Sequence, residues 1–516
     1  MRSRPNAIAI FATLALVVSL GCGSSVDDEA PGIAVPFEFG TADIPAFGDI
    51  PWPSDLYRDS DGTVAPLAGL GRLVARPELL RRELSALDGF GRSTGALFFV
   101  GADTDVEPAT LPSNWNEASA SDASVLLVDV DPMSPRFGER YPVQAKFLPT
   151  LECISVIPVP GVVVAPGVRY AAVLTSRVRT RSGDHLAAAA ALTEILALPP
   201  QRRSTRAAMM YGDAADALVA SGAVRRRSDI AALAVFTTSD RVFEMADLRR
   251  QLHLQPEPVL LLDPVAADPY TVAVFARDTD PSLGDWLGEP ERDEMGRDWP
   301  GSDNPGGIAH DAIGVVASGA FVAPSFLRPR GGGGFATDPD SGAAVITRPD
   351  ALVPVTLVLP LQPAPASGYP VVIHGHGLSN HRGSMFGVAN ELARAGFAMI
   401  AIDDVLHGAR QGIGDTQNNF AGSYAGPDGI PDSVGLPIAF FAGFADFVAI
   451  RDNFRQTVLD HVSLVRLIQS SRLDLTPLAA LGAPAPRFDA ARIYWSGGSL
   501  GGIMGTMVVA VEPEIR

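Results

Sequence analysis

Cysteine is nearly missing from this chain. Its 516 residues hold two, Cys22 and Cys153. If Cys22 carries a modification, no disulfide can form within the chain. Cys153, in an apolar strand-like run, reads as a buried and inert thiol. Positive charge is the second shortage. The formal net charge is −18 at pH 7. That argues against nucleic acid as a partner, gives no electrostatic pull toward anionic membrane surfaces, and favours solubility. The apolar run Ala7 to Val18 is too short for a comfortable membrane span. The first half has no internal repeat and no nucleotide-binding glycine loop. Finally, no histidine follows Ser499: all eight precede it. What is present suffices for two or three domains with substantial apolar cores.

The N-terminus reads as an export signal: Arg2 and Arg4, the apolar run, then Ser19-Leu20-Gly21-Cys22. Small residues before a cysteine resemble a bacterial lipoprotein cleavage site, with Ser19 where such sites usually carry Leu. Cys22 would then bear lipid, and the product would be lipid-anchored in the bacterial cell envelope, at the outer membrane, or secreted. The alternative is an ordinary secretory signal with an incidental cysteine. Gly23-Ser24-Ser25 and Asp27-Asp28-Glu29 fit a tether.

Pro51-Trp52-Pro53-Ser54-Asp55-Leu56 predicts an extended segment, and Asp59-Ser60-Asp61-Gly62 a plain tight turn. The acidic cluster is not a calcium loop, because Tyr57 and Ala68 occupy the positions of the first and last EF-hand ligands. Leucines at helical spacing predict a helix over 72–87. Strands are expected at 124–130, 141–148, 153–164, 169–177 and 231–238, as a sandwich-like β domain with helices at 186–198, 206–220 and 242–254. A Pro/Gly/Asp-rich link, 278–307, marks a border. Beyond it come strands at 314–326 and 353–361. Strand and helix then alternate: strands at 370–373, 397–402 and 492–495, helices at 382–395 and 445–471. Alternation signals a largely parallel sheet. In the long helix, Phe447, Ile450, Phe454, Val458, Val462 and Val465 form one stripe.

The chemistry concentrates near the end of the chain. The β-prone run Arg492 to Trp495 enters Gly497-Gly498-Ser499-Leu500-Gly501, and a helix-prone run follows. Strand, sharp turn, helix is the context of a nucleophile elbow. Ser499 is the candidate nucleophile, and the Leu500 N–H at the helix N-terminus a candidate oxyanion donor. The plain alternative is a glycine-rich βα turn that packs a helix on a sheet. A second constellation follows strand 371–373: His374-Gly375-His376-Gly377. In an α/β-hydrolase this loop supplies the second oxyanion N–H. His376 takes that role through its backbone, and Gly375 and Gly377 allow close approach. His374, His407 and Asp404 are candidates to line the site. A metal held by His374, His376 and His407 is the rival reading, although the spacing does not match the zinc-protease pattern. No cofactor is expected.

Taken together, these motifs resemble the bacterial virulence-factor-type extracellular lipase family. Those that carry the likeness are Ile50 to Leu56, Asp61-Gly62-Thr63, Phe236-Thr237-Thr238, His374 to Gly377, Ile402-Asp403 with His407-Gly408, Asp452 to Gln456, and Gly497 to Gly501. The likeness spans most of the chain after the signal. Gly498 departs from it, since many lipases have His there. The resemblance implies an α/β-hydrolase preceded by a β-rich α+β accessory domain. It also implies hydrolysis of carboxylic esters in lipid substrates, lysophospholipids among them. The expected division is a leader over 1–21, a tether over 22–49, the accessory domain over 50–305 and the hydrolase domain over 306–516. The family's order is Ser, then Asp or Glu, then His, so the acid, the base and the late strands are expected to be missing after the elbow helix. A non-catalytic envelope binding protein that keeps the hydrolase fold is therefore the competing expectation.

Overall fold

The computed structural model describes residues 32–39, 44–65, 67–72, 84, 87–93, 95–240, 244–262, 273–280, 282–287, 308–328, 334–411, 440–441 and 446–516. Cys22, the leader and most of the helix expected at 72–87 lie outside them. Among the described residues no helix is long and apolar enough to cross a membrane.

The first part builds three small sheets. β1 (Ile33–Val35) pairs in parallel with β8 (Leu186–Ala188). β2 (Ala96–Phe99), β6 (Cys153–Pro158) and β5 (Val143–Leu148) form an antiparallel three. β4 (Arg140–Tyr141), β3 (Val125–Asp129), β7 (Arg169–Thr175) and β9 (Ile230–Thr237) form an antiparallel four. All share one apolar core, closed by α1 (Ala190–Ala197) and α2 (Arg206–Ala220). Cys153 is free and buried, as its apolar setting predicts.

Two expectations change here. The helix expected at 186–198 yields its first residues to a strand. A tight turn brings the Leu186 N–H onto the Val178 carbonyl at 2.9 Å, and β1 then claims the segment. The tether expected over 22–49 is packed from β1 onward. Phe37 meets Tyr211 edge to face, and Phe47 meets Phe99 and Trp52. Burial of those rings outweighs the turn-rich composition. The segment around Asp55 is pinned across the core. Its carboxylate accepts from the Thr237 N–H at 2.9 Å and the Thr237 hydroxyl at 2.6 Å.

The second part is one seven-stranded sheet with helices on both faces. Its order is β10 (Leu260–Leu261), β12 (Ile313–Val322), β13 (Leu352–Pro360), β15 (Ala398–Ile402), β14 (Tyr369–Gly375) and β16 (Phe488–Gly497), with β11 (Ala273–Ala276) also on β12. α4 (Phe386–Arg394) covers one face through Phe386, Ala389 and Ala393. α5 (Phe447–Gln469) and α6 (Leu500–Val511) cover the other, through Val458, Leu464, Val465, Met504 and Val508. α3 (Glu244–His253) packs on α5.

The sheet is mixed rather than mostly parallel. Only β15–β14 and β14–β16 are parallel pairs; β12–β13, β13–β15 and both short strands on β12 are antiparallel. Apolar runs buried on both faces, such as β13 and β15, look alike in either direction. The expected border at 305–306 also moves, because β10 and β11 precede it yet join this sheet. They are too short for a periodic signal. A further helical turn, Leu283–Leu287, interrupts the expected link. The three parallel strands end together at Gly375, Ile402 and Gly497, and this carboxyl edge is where such sheets bind ligands.

Candidate active site

β16 runs out at Gly497, and α6 opens at Leu500. Between them Ser499 caps the helix with φ 53° and ψ −122°. That backbone is outside the wells open to an L-residue and is kept only where its surroundings enforce it. Ser499 is exposed, and among the described residues no group hydrogen-bonds to its hydroxyl. Leu500 is buried just behind it. As the first helical residue, Leu500 points an N–H that has no intrahelical acceptor along the positive end of the helix dipole.

Close approach explains the glycines. A Cβ on Gly501 would stand 1.9 Å from the Gly375 carbonyl oxygen, and one on Gly497 would stand 2.7 Å from the Gly501 carbonyl carbon. The loop after β14 lies against the elbow: a Cβ on Gly377 would be 3.7 Å from the Ser499 Cβ. The two glycine-rich segments read in the sequence thus meet at one edge. Register reinforces this, since Gly375 pairs with Gly497 and His374 with Ser496.

The imidazoles point elsewhere. The His376 ring is buried; its Nδ1 bonds the Gly377 carbonyl at 2.8 Å, and its Nε2 accepts the Asp404 N–H at 3.0 Å. His374 lies between the Ser496 and Ser384 hydroxyls, both at 3.2 Å. Burial, with His376 nearby, pushes its pKa down to about 4. His407 is buried with its ring 5.0 Å from that of His376, and its Nδ1 bonds the Val405 carbonyl at 3.0 Å. Burial likewise pushes it down to about 4, with His376 second. The hydrogen bonds of His374, His407 and Asp404 thus run to partners other than Ser499. Polar groups at strand ends satisfy one another inward when loops cover them.

The metal reading gains no support from this geometry. His374 spends both ring nitrogens on serines, on a different face from His376. Among the described residues no three metal-ligating side chains form a group. All eight histidines are described, and no hydrogen bond joins any of them to Ser499. The described residues thus present a strained, exposed serine at a helix N-terminus, with no histidine hydrogen-bonded to it.

Two buried features were given no role by the sequence. Arg382 and Asp403, both fully buried, pair through the guanidinium and through the Arg382 N–H at 2.8 Å. Burial, the largest influence, would raise the Asp403 pKa, but the Arg382 charge together with His381, His376 and the Arg382 N–H bond holds the carboxyl below its usual range. His461, on α5, donates toward Asp404 at 3.4 Å. A signal for it existed: it falls on the apolar stripe between Val458 and Val465.

No family model matches the chain, and no curated protein matches it. Among solved structures, acetyl xylan esterase 1 from Thermoanaerobacterium sp. JW/SL YS485 aligns at 21% identity over 33% of this chain and 43% of its own, with a TM-score of 0.21. Acetyl xylan esterase from Paenibacillus sp. R4 aligns at 16% identity over 53% and 57%, with a TM-score of 0.23. Glucuronoyl esterase from Solibacter usitatus aligns at 11% identity over 52% and 55%, with a TM-score of 0.19. The chain spans about half the length of the structures it matches. These likenesses are local, and the functional assignment stands on the chain's own geometry.

Proposed function

We propose that the chain is a serine hydrolase of carboxylic esters, with an α/β-hydrolase domain built on β12 to β16. One observation carries this: an exposed serine held at φ 53° and ψ −122° between a strand and a helix, against a second glycine loop. A helix on a sheet does not require that strain, whereas presenting a nucleophile does. Ser499 Oγ attacks the ester carbonyl, and its proton passes to a base that the described residues do not supply. The Leu500 and His376 N–H groups hold the oxyanion. Collapse expels the alcohol, and water then releases the acid from the acyl-serine. Lipid esters, lysophospholipids among them, are the substrate class that the motif resemblance favours, and Cys22 is the anchor to the envelope membrane.

A fluorophosphonate probe tests the reading. Ser499 is labelled in the wild type and labelling is lost in Ser499→Ala; an unlabelled wild type, or equal labelling of both, overturns it. Radiolabelled palmitate enters the wild type and not Cys22→Ser, and equal entry refutes the anchor. One observation favours a second reading, a non-catalytic binding protein: no imidazole reaches Ser499. Hydrolysis of short acyl esters by this chain, lost in Ser499→Ala, rules that out.

A further inference from the structure

The two amide donors sit on separate segments, and their spacing must be fixed from below. His376 N–H belongs to the loop after β14, and Leu500 N–H to the first turn of α6. The backbones touch at Gly375 and Gly501, but that contact sets only a closest approach. Beneath them runs a series of contacting side chains, three of them buried and one, Trp495, partly buried.

It starts at Gly377, whose carbonyl accepts from His376 Nδ1 at 2.8 Å. The other ring nitrogen, Nε2, accepts the Asp404 N–H at 3.0 Å. A nitrogen that accepts carries no proton, so the ring is the neutral tautomer with hydrogen on Nδ1. One imidazole thereby clips its own loop to the end of β15. The Asp404 carboxylate takes up the series, facing His461 Nε2 at 3.4 Å. The His461 ring stands edge-on to Trp495, with centroids 4.7 Å apart. Trp495 Nε1 donates to the Gly501 carbonyl at 3.1 Å, in the first turn of the elbow helix.

The indole is a wedge as well as a donor. A Cβ on Gly375 would stand 2.5 Å from Trp495 Cζ2, and one on Gly505 would stand 2.3 Å from Nε1. Glycines on the strand and on the helix make room for this one ring. His376, Asp404 and His461 are all 1% exposed or less. Asp404 Oδ2 and His461 Nδ1 are buried without a hydrogen-bond partner, so the series holds through the His376 bonds, the Asp404–His461 contact and the Trp495 bond alone.

We propose that His376, Asp404, His461 and Trp495 are positioning residues that couple the 375–377 loop to the first turn of α6 and so set the spacing of the two oxyanion donors. The spacing role rests on the hydrolase reading; the coupling itself does not. None of the four side chains touches substrate. They act through the peptide units at Gly377 and Gly501.

Three measurements test it on the whole protein. Nitrogen-15 shifts at neutral pH show His376 protonated at Nδ1 and bare at Nε2, its signals identified by their absence in His376→Asn. The opposite tautomer overturns the series at its first link. Hydrogen exchange of peptides spanning 375–380 and 497–503 speeds up about tenfold in both segments for His376→Phe and for His461→Leu. His461→Gln, which keeps a donor toward Asp404, stays near the wild type. If 497–503 is untouched in both disruptive variants, the coupling is refuted. Finally, the fluorophosphonate labelling rate drops about a hundredfold in His376→Phe, the effect of a misplacement near 1 Å. It recovers in part in His376→Asn, which restores the donor to Gly377. Labelling at the wild-type rate in His376→Phe defeats the spacing role while Ser499 remains the nucleophile. A wild type that does not label defeats the hydrolase reading instead, and the tautomer and exchange results still decide the coupling.

Discussion

Gly501 is where the smallest change should do the most damage. In Gly501→Ala the new methyl would lie 1.9 Å from the Gly375 oxygen, 2.4 Å from its carbon and 2.9 Å from the His376 oxygen. All three are backbone atoms, so no side chain can swing aside. Real Cβ atoms essentially never come within 3.0 Å, so the 375–376 segment must retreat by about 1 Å. That retreat carries the His376 N–H away from the reacting carbonyl, and a misplacement of this size costs about a hundredfold in rate. Stability falls less. Overpacking costs about 1–3 kcal/mol, and alanine returns about 1 kcal/mol of helix propensity. The net loss is therefore about 0–2 kcal/mol, too small to unfold the protein. Gly498→Ala is the control, because nothing lies within 4 Å of its Cβ position. The assay is the second-order labelling rate with a fluorophosphonate, set beside urea unfolding of the same samples. Gly501→Ala labelling at the wild-type rate, or Gly498→Ala falling equally, would show that the two loops do not meet as described.

Ser499→Gly should raise the melting temperature while abolishing labelling, because glycine accepts φ 53° freely and releases about 1–3 kcal/mol of backbone strain; an unchanged or lower melting point contradicts that strain. Asp403→Asn leaves the Arg382 guanidinium buried without its counter-charge, and urea unfolding should report a loss of about 3–5 kcal/mol. A loss below about 1 kcal/mol would mean that the charge finds water. Acid should destabilise the fold in a defined window. His374, His381 and His407 are held at about 4, chiefly by burial, against 6.5 when free. Between those values the unfolded chain binds more protons, so stability is full above 6.5 and drains as pH falls toward 4. At pH 5 each contributes a loss of about 2 kcal/mol. Stability that is flat or rising from pH 6.5 down to 5 would refute neutral burial of the three rings.

The elbow was legible because its demands are local. Strand, glycine-flanked serine and helix sit within one short stretch, and no other packing could make that order unnecessary. The helix over Arg206–Ala220 and the strand over Arg169–Thr175 were legible for a similar reason: their periodicity is long and uninterrupted. Strand direction was not legible. β13 is buried along nearly its whole length and would read the same run either way, yet it lies antiparallel between two neighbours. Leu186–Ala188 shows the opposite limit, an alanine-rich run with helical propensity that a distant edge strand captured. Side-chain direction was the hardest to read. His374 and His376 flank one glycine, and an unbroken strand would put both on one face. The strand ends at Gly375, so His376 escapes that alternation: serines hold one ring, and the Asp404 amide just past β15 holds the other.

The carboxylate of Asp55 meets its two donors on Thr237 across 182 residues of chain. On a ribosome this carboxylate therefore emerges without its Thr237 partner until β9 has been synthesised. Closing a loop of that length costs about 4–5 kcal/mol of chain entropy, so this tie forms late, after the intervening strands have gathered. Removing it with Asp55→Ala should then hasten unfolding far more than it slows folding, and stopped-flow rates that showed the reverse would place the tie in the nucleus.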